Sequence, residues 1–141
     1  MGILVEGHCL DEIEHIIAQL ENAAIYDFST LSGPTALPEA AGVYAIFNKV
    51  TQEVYYVGKT TNLRQRLYNN HLMGALSNAR LKKYLIEDPS FPVIVDRATA
   101  KEFIQKNCSF VYLLEPNMRL RGHLEGLLGF LTNCRYVDKE H

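Results

Sequence analysis

The stretch from Gly42 to His71, GVYAIFNKVTQEVYYVGKTTNLRQRLYNNH, most limits what this chain can become. It holds two short strand-like runs, residues 43–47 and 54–58, joined by the polar connection 48–53. Runs of that length around a polar link read as an antiparallel hairpin. Residues 43–47 are nearly all apolar, as expected for a strand covered on both faces. Alternation puts Tyr44 and Ile46 on one face and Val43, Ala45 and Phe47 on the other. In the return strand, Tyr56 takes one face and Tyr55 and Val57 the other. Taken alone, Tyr44 and Tyr56 read as a cross-strand aromatic contact. A helix begins near Leu63, with Thr61 or Asn62 able to cap it. Leu63 and Leu67 form its apolar stripe, while Asn62, Arg66 and Asn70 share another face at the same spacing. Arg66 then leans toward the hairpin and Arg64 away from it. Two phenols and one guanidinium so grouped suit a phosphate and a nucleophilic water.

The rest of the chain supports one domain with a real core, as 141 residues allow. No apolar run approaches the ~20 residues of a membrane span, and an acidic front does not read as a secretory signal. Cys9, Cys108 and Cys134 are odd in number with no C-x-x-C pairing. Free thiols in a reducing, cytoplasmic setting are expected. The five histidines are not spaced with the cysteines as zinc ligands. Net charge is −2, but its distribution is uneven. Residues 1–48 hold seven acids and no Lys or Arg; residues 49–141 hold 14 bases against nine acids, a net +5. A basic face can attract phosphate even when total charge is negative.

Residues 9–23 read as an amphipathic helix on Ile13, Ile16, Ile17 and Leu20, with Asp11, Glu12 and Glu14 at its start. It is expected to pack with a solvated acidic face, or else to cover the basic face or meet a partner. Residues 29–41 read as a loop. A second helix is expected over 78–87, a short extended piece at 93–95, a helix over 99–106 with Ala100, Phe103 and Ile104 inward, and a third strand over 110–114. The last helix, about 118–133, carries Leu120, Leu124, Leu127, Leu128 and Leu131 as its core stripe. Gly122, Gly126 and Gly129 run beside that stripe. Each costs about 1 kcal/mol against Ala in a helix, so close approach of helix to sheet is expected there. Glu125 lies among these glycines as a partly buried carboxylate needing a partner.

Gly42-Val43-Tyr44 resembles the first signature triplet of the GIY-YIG nuclease family and Tyr56-Val57-Gly58 the second. The eleven residues between them fit the family's usual separation. The run KTTNLRQRL at 59–67 is similar to the family's segment just after the second triplet, with Arg66 where the family keeps its catalytic arginine. Leu124-Glu125-Gly126-Leu127-Leu128 resembles the family's late glutamate helix. The resemblance spans roughly residues 38–136. Residues 1–37 have no counterpart in the family's minimal module and are expected to be an acidic N-terminal helical extension, with residues 38–141 forming the nuclease-like domain.

The resemblance implies an α+β fold, a small three-stranded antiparallel sheet flanked by helices. It implies a metal-dependent DNA endonuclease. Tyr44 would take a proton from water; Tyr56 would orient water or phosphate, and their roles can be exchanged. Arg66 would hold the scissile phosphate. Lys59 would lower the Tyr44 pKa or neutralise the phosphate. Glu125 would bind Mg²⁺ or Mn²⁺. Further nucleic-acid contacts are expected from Arg64, Asn70, His71, Arg80, Lys82 and Lys83. Family members often carry His or Tyr four residues after the arginine. Here that position is Asn70, and a helix turning about 100° per residue carries His71 away from the site. Two alternatives stay open: a module of the same fold that binds nucleic acid without cutting, and a protein-interaction domain. DNA is the expected partner, with no membrane. A partner protein or a second copy would meet the N-terminal segment.

Overall fold

The computed structural model describes residues 2–74 and 80–138. The hairpin forms as β2 (Gly42–Asn48) and β3 (Val54–Thr60), antiparallel. β4 (Cys108–Leu114) pairs antiparallel on the other side of β2, and the two-residue strand β1 (Tyr26–Asp27) pairs with β4. The sheet therefore has four strands in the order β1-β4-β2-β3, one more than expected. The extra strand is too short to leave a periodic pattern. It brings Phe28 and, further on, Leu37 into the main core, each 1% exposed.

The expected alternation holds in β2. Tyr44 and Ile46 enter the larger core, and Ala45 and Phe47 the smaller one on the opposite face. It fails in β3, where Tyr55 and Tyr56 both enter the larger core. The cause is a register shift: Ile46 pairs with Tyr56, but Phe47 pairs with Val54. Tyr55 is the extra residue of a bulge, which re-aims its side chain. Its hydroxyl accepts a hydrogen bond from Asn48 Nδ2 at 3.1 Å.

The larger core is closed by a π-helix (Gln65–Leu72), α2 (Arg80–Glu87) and α3 (Arg97–Asn107). Residues 78 and 79 of the expected second helix lie outside the described residues. Asp96 caps α3 through a reciprocal box with Thr99. Ala100 and Ile104 point inward as expected. Residues 93–95 form no strand; Ile94 is buried while Val93 and Val95 stay exposed.

α1 (His8–Asn22) and α4 (Met118–Thr132) lie over the second face, α4 against β3 and β2 and α1 against β4. After α4 the chain turns at Asn133, in left-handed conformation at φ 50°, and runs beside β3. There Arg135 N donates to Val54 O at 3.0 Å and Tyr136 N to Tyr55 O at 2.9 Å. Among the described residues no helix is long and apolar enough to cross a membrane. Cys9, Cys108 and Cys134 are free thiols.

The leucine stripe of α4 does not form core as expected. Leu128 alone of the five is buried; Leu120 and Leu131 are 43% and 38% exposed. Nor do the helical glycines mark close approach. A Cβ at Gly126 or Gly129 would meet open space, and one at Gly122 would only touch Lys59 Nζ at 3.7 Å. Gly42 is the opposite case, because a Cβ there would sit 2.4 Å from the backbone oxygen of Leu113. We therefore expect Gly126→Ala to stabilise the fold by about 1 kcal/mol. Gly42→Ala should destabilise it by about 2 kcal/mol or more through forced strand displacement. Urea unfolding of the two variants checks both signs.

Candidate active site

Tyr44 lies opposite Gly58 in the hairpin register. A Cβ at Gly58 would be 2.3 Å from Tyr44 Oη, so the glycine of the second triplet makes room for the phenol of the first. The two tyrosine rings, Tyr44 and Tyr56, stand 6.3 Å apart between centroids. Tyr44 Oη is 2.6 Å from His71 Nε2, in a buried hydrogen bond. His71 packs against both phenol rings, at 5.3 Å from Tyr44 and 5.4 Å from Tyr56.

This reverses the expectation that His71 would turn away. The segment winds as a π-helix, in which residues five apart come to lie over one another. Met73 N donates to Tyr68 O, five residues back, at 3.0 Å. Burial keeps the same step: Leu67 and Leu72 are both buried, and so is His71, five after Arg66. The extra residue between Arg66 and His71 is the one sequence signal that pointed to this winding. Asn62 Oδ1 accepts from Gln65 N at 3.1 Å, so Asn62 caps the start of the helical segment.

Two cations hold the far end. Lys82 Nζ donates to Leu72 O at 2.6 Å and Gly74 O at 3.0 Å. Arg97 donates to Met73 O at 2.8 Å and Gly74 O at 3.1 Å. Carbonyls left open at a helix C-terminus take such donors well. Lys82 is fully buried, and burial pushes its pKa down to about 8. It is a structural cation and not the nucleic-acid contact expected of it. His71, 1% exposed, is likewise no nucleic-acid contact.

The remaining expected contact residues have varied surroundings. Arg64 is tied to Glu39 at 2.7 Å and to Leu37 O at 2.9 Å. Arg80 pairs with Asp138, and its charge is felt at the Tyr56 hydroxyl. Asn70 is partly exposed, Lys83 exposed. Asp138, which no sequence signal marked, also accepts from Tyr84 Oη at 2.7 Å. Its carboxylate is felt at Tyr44, Tyr56 and Glu125.

Burial, then Tyr56, push the Tyr44 phenol well above its ordinary range, while Arg66 pulls it down. Tyr56 is pushed up to about 12, first by burial and then by Asp138. His71 is pushed down to about 3, mainly by burial, with Arg66, Lys82 and Arg80 adding to it. The buried pair is therefore a neutral imidazole and a neutral phenol. Among the described residues Nδ1 of His71 is buried with no partner.

Glu125 stands on α4, which packs against the edge strand β3, and feels the charge of Lys59 on that strand. The Glu125 charge is felt at Tyr44 and Tyr56 although α4 lies over the other face. Burial raises its pKa and Lys59 opposes that rise. No ion pair among the described residues uses Glu125. Among them, too, no three His, Cys, Asp or Glu side chains cluster closely enough to hold a metal by themselves. A lone half-buried carboxylate with oxygens to spare fits Mg²⁺, which keeps most of its water shell, and does not fit zinc.

A neutral buried His71 has a consequence for stability. On unfolding below pH 6.5, the ordinary value, it takes up a proton that the folded chain refuses. Its stabilising contribution is complete above pH 6.5 and is lost as pH falls toward 3. Between pH 6.5 and 5 the loss is about 2 kcal/mol. His71→Phe should show a smaller drop in urea midpoint between pH 7 and 5 than the parent chain. Equal drops would mean that another group titrates.

A sequence model of the GIY-YIG catalytic domain matches residues 40–103. None of the curated proteins compared with the chain matches it. Among solved structures, the chain is similar to the GIY-YIG N-terminal endonuclease domain of UvrC from Thermotoga maritima bound to magnesium, its catalytic divalent cation. Identity is 21% and the TM-score 0.39, over 89% of this chain and 98% of that one. A point mutant of the same domain, also bound to its catalytic cation, matches at 20% identity and the same TM-score. Residues 40–103, a stretch that holds both triplets and Arg66, are what this chain shares with the GIY-YIG catalytic domain.

Proposed function

We propose that the chain is a metal-dependent DNA endonuclease that hydrolyses phosphodiester bonds. The observation that carries this reading is the Tyr44 Oη–His71 Nε2 hydrogen bond, whose phenol feels the charges of both Arg66 and Glu125. Arg66 grips the scissile phosphate with its planar donors. Tyr44, its own proton engaged by His71 Nε2, holds the attacking water through an oxygen lone pair, and the water's proton leaves to solvent. The buried phenol thus never has to exist as a lone anion. Lys59 adds a cation beside the phosphate, and Tyr56, which feels the charge of Arg80, orients the water or the phosphate. Glu125 and water molecules would hold a divalent cation, which supplies positive charge to the transition state.

The expected result is nicking of plasmid and branched DNA with Mg²⁺ and none with EDTA. Glu125→Gln and Arg66→Ala should each slow nicking by about 100-fold or more. The raised pKa values of both phenols favour a second reading, a module of the same fold that holds nucleic acid without cutting. Binding at low salt with no Mg²⁺-dependent nicking would decide for that module.

Asp138 bears on substrate affinity. Its carboxylate occupies Arg80 and Tyr84, where a backbone phosphate would compete for the same donors. Asp138→Asn should tighten binding of a labelled DNA duplex several-fold at low salt, and Arg80→Ala should weaken it. Fluorescence anisotropy measures both. Unchanged affinity in both variants would remove Arg80 from the DNA-binding surface.

A further inference from the structure

On the sheet face away from Tyr44 and His71, α1 and α4 diverge around a groove of about 1210 Å³. Ile13 and Ile16 of α1 form one wall, Leu124 and Leu127 of α4 the other, and Leu113 and Leu114 at the end of β4 part of the floor. The surfaces facing it are unfinished. α1 has no buried residue. Along α4, Leu120, which lines the groove, is 43% exposed. An amphipathic helix whose apolar stripe meets no partner is an interaction face. The stripe's spacing of i, i+4, i+7 and i+11 is that of one helix receiving another.

Charge decides what can enter. Asp11, Glu12 and Glu115 line the groove, and no Lys or Arg does. The ion pairs made by α1 among the described residues are between His8 and Glu6 or Glu12, so the acids at its start meet no Lys or Arg. They therefore do not cover the basic side of the molecule. A second copy docking by the same surface would bring acid against acid. Nucleic acid is repelled for the same reason.

We propose that the groove receives an amphipathic helix of another protein, with a leucine-type apolar face flanked by Lys or Arg. The apolar face completes the α1–α4 layer as a third helix, and the flanking cations meet Asp11, Glu12 and Glu115. The proposal is independent of the nuclease reading, because it concerns the opposite face and its readout is binding.

The probe is a fluorescent helical peptide of Leu and Lys at amphipathic spacing. It is compared with a Leu/Glu peptide of the same spacing and a scrambled Leu/Lys peptide. Anisotropy at physiological salt should show saturable one-to-one binding of the first alone. Leu124→Ser with Leu127→Ser should weaken it about tenfold or more, and so should Asp11→Lys with Glu12→Lys, which changes only exposed positions. Circular dichroism confirms that each variant is folded. Equal binding of the scrambled or the Leu/Glu peptide overturns the proposal, as does affinity indifferent to both double substitutions. Sedimentation showing a dimer that the groove substitutions dissociate would assign the surface to a second copy and overturn it as well.

Discussion

The short bond between the Tyr44 phenol and the His71 imidazole sets the terms for the rest of this molecule. It is buried, and both partners are neutral there because charge in that place lacks solvent. Three separate devices converge to make it. Gly58 leaves the space that Tyr44 fills, the π-winding returns His71 to the side of Arg66, and Lys82 with Arg97 holds the end of that winding. Lys82 comes from α2 and Arg97 from α3, so the site rests on helices distant from the hairpin in sequence.

Much of the chain's positive charge has internal work. Lys82 serves backbone carbonyls, as does Arg121, which donates to Glu115 O and Pro116 O. Arg64, Arg80 and Arg135 are matched to Glu39, Asp138 and the Asp88–Glu53 pair. The +5 of residues 49–141 therefore overstates the field available to a polyanion. Affinity for a phosphodiester backbone would come from a few cations at the cleft, Arg66 and Lys59 first, and would fall steeply with salt.

The hairpin, its triplets and the face taken by Tyr44 were legible because they are local: apolar alternation, a polar link and two glycines within seventeen residues. Arg66 and Glu125 are singled out through the resemblance to the family alone. What sequence could not show came from one-residue offsets and distant contacts. The β3 bulge turned Tyr55 inward, and the π-winding turned His71 from a bystander into the partner of Tyr44. Both are single insertions into a regular period, which a periodic reading averages away. The α4 leucines misled for a different reason. Periodicity reports that a helix has an apolar face, and here the chain itself provides little to bury it. Asp138 stayed unseen because its partners, Arg80 and Tyr84, lie more than fifty residues upstream.

The outer side of β3 would by itself be an exposed row of peptide groups, the kind of border along which a foreign strand can add and a fibre can grow. Here the chain spends its own backbone there. The carbonyls of Val54 and Tyr55 are claimed by the peptide N–H groups of Arg135 and Tyr136. The same few residues that guard this border also lead to Asp138. Loosening the tail would therefore uncover a sticky edge and release Arg80 and Tyr84 together, which ties colloidal behaviour to the state of the candidate site.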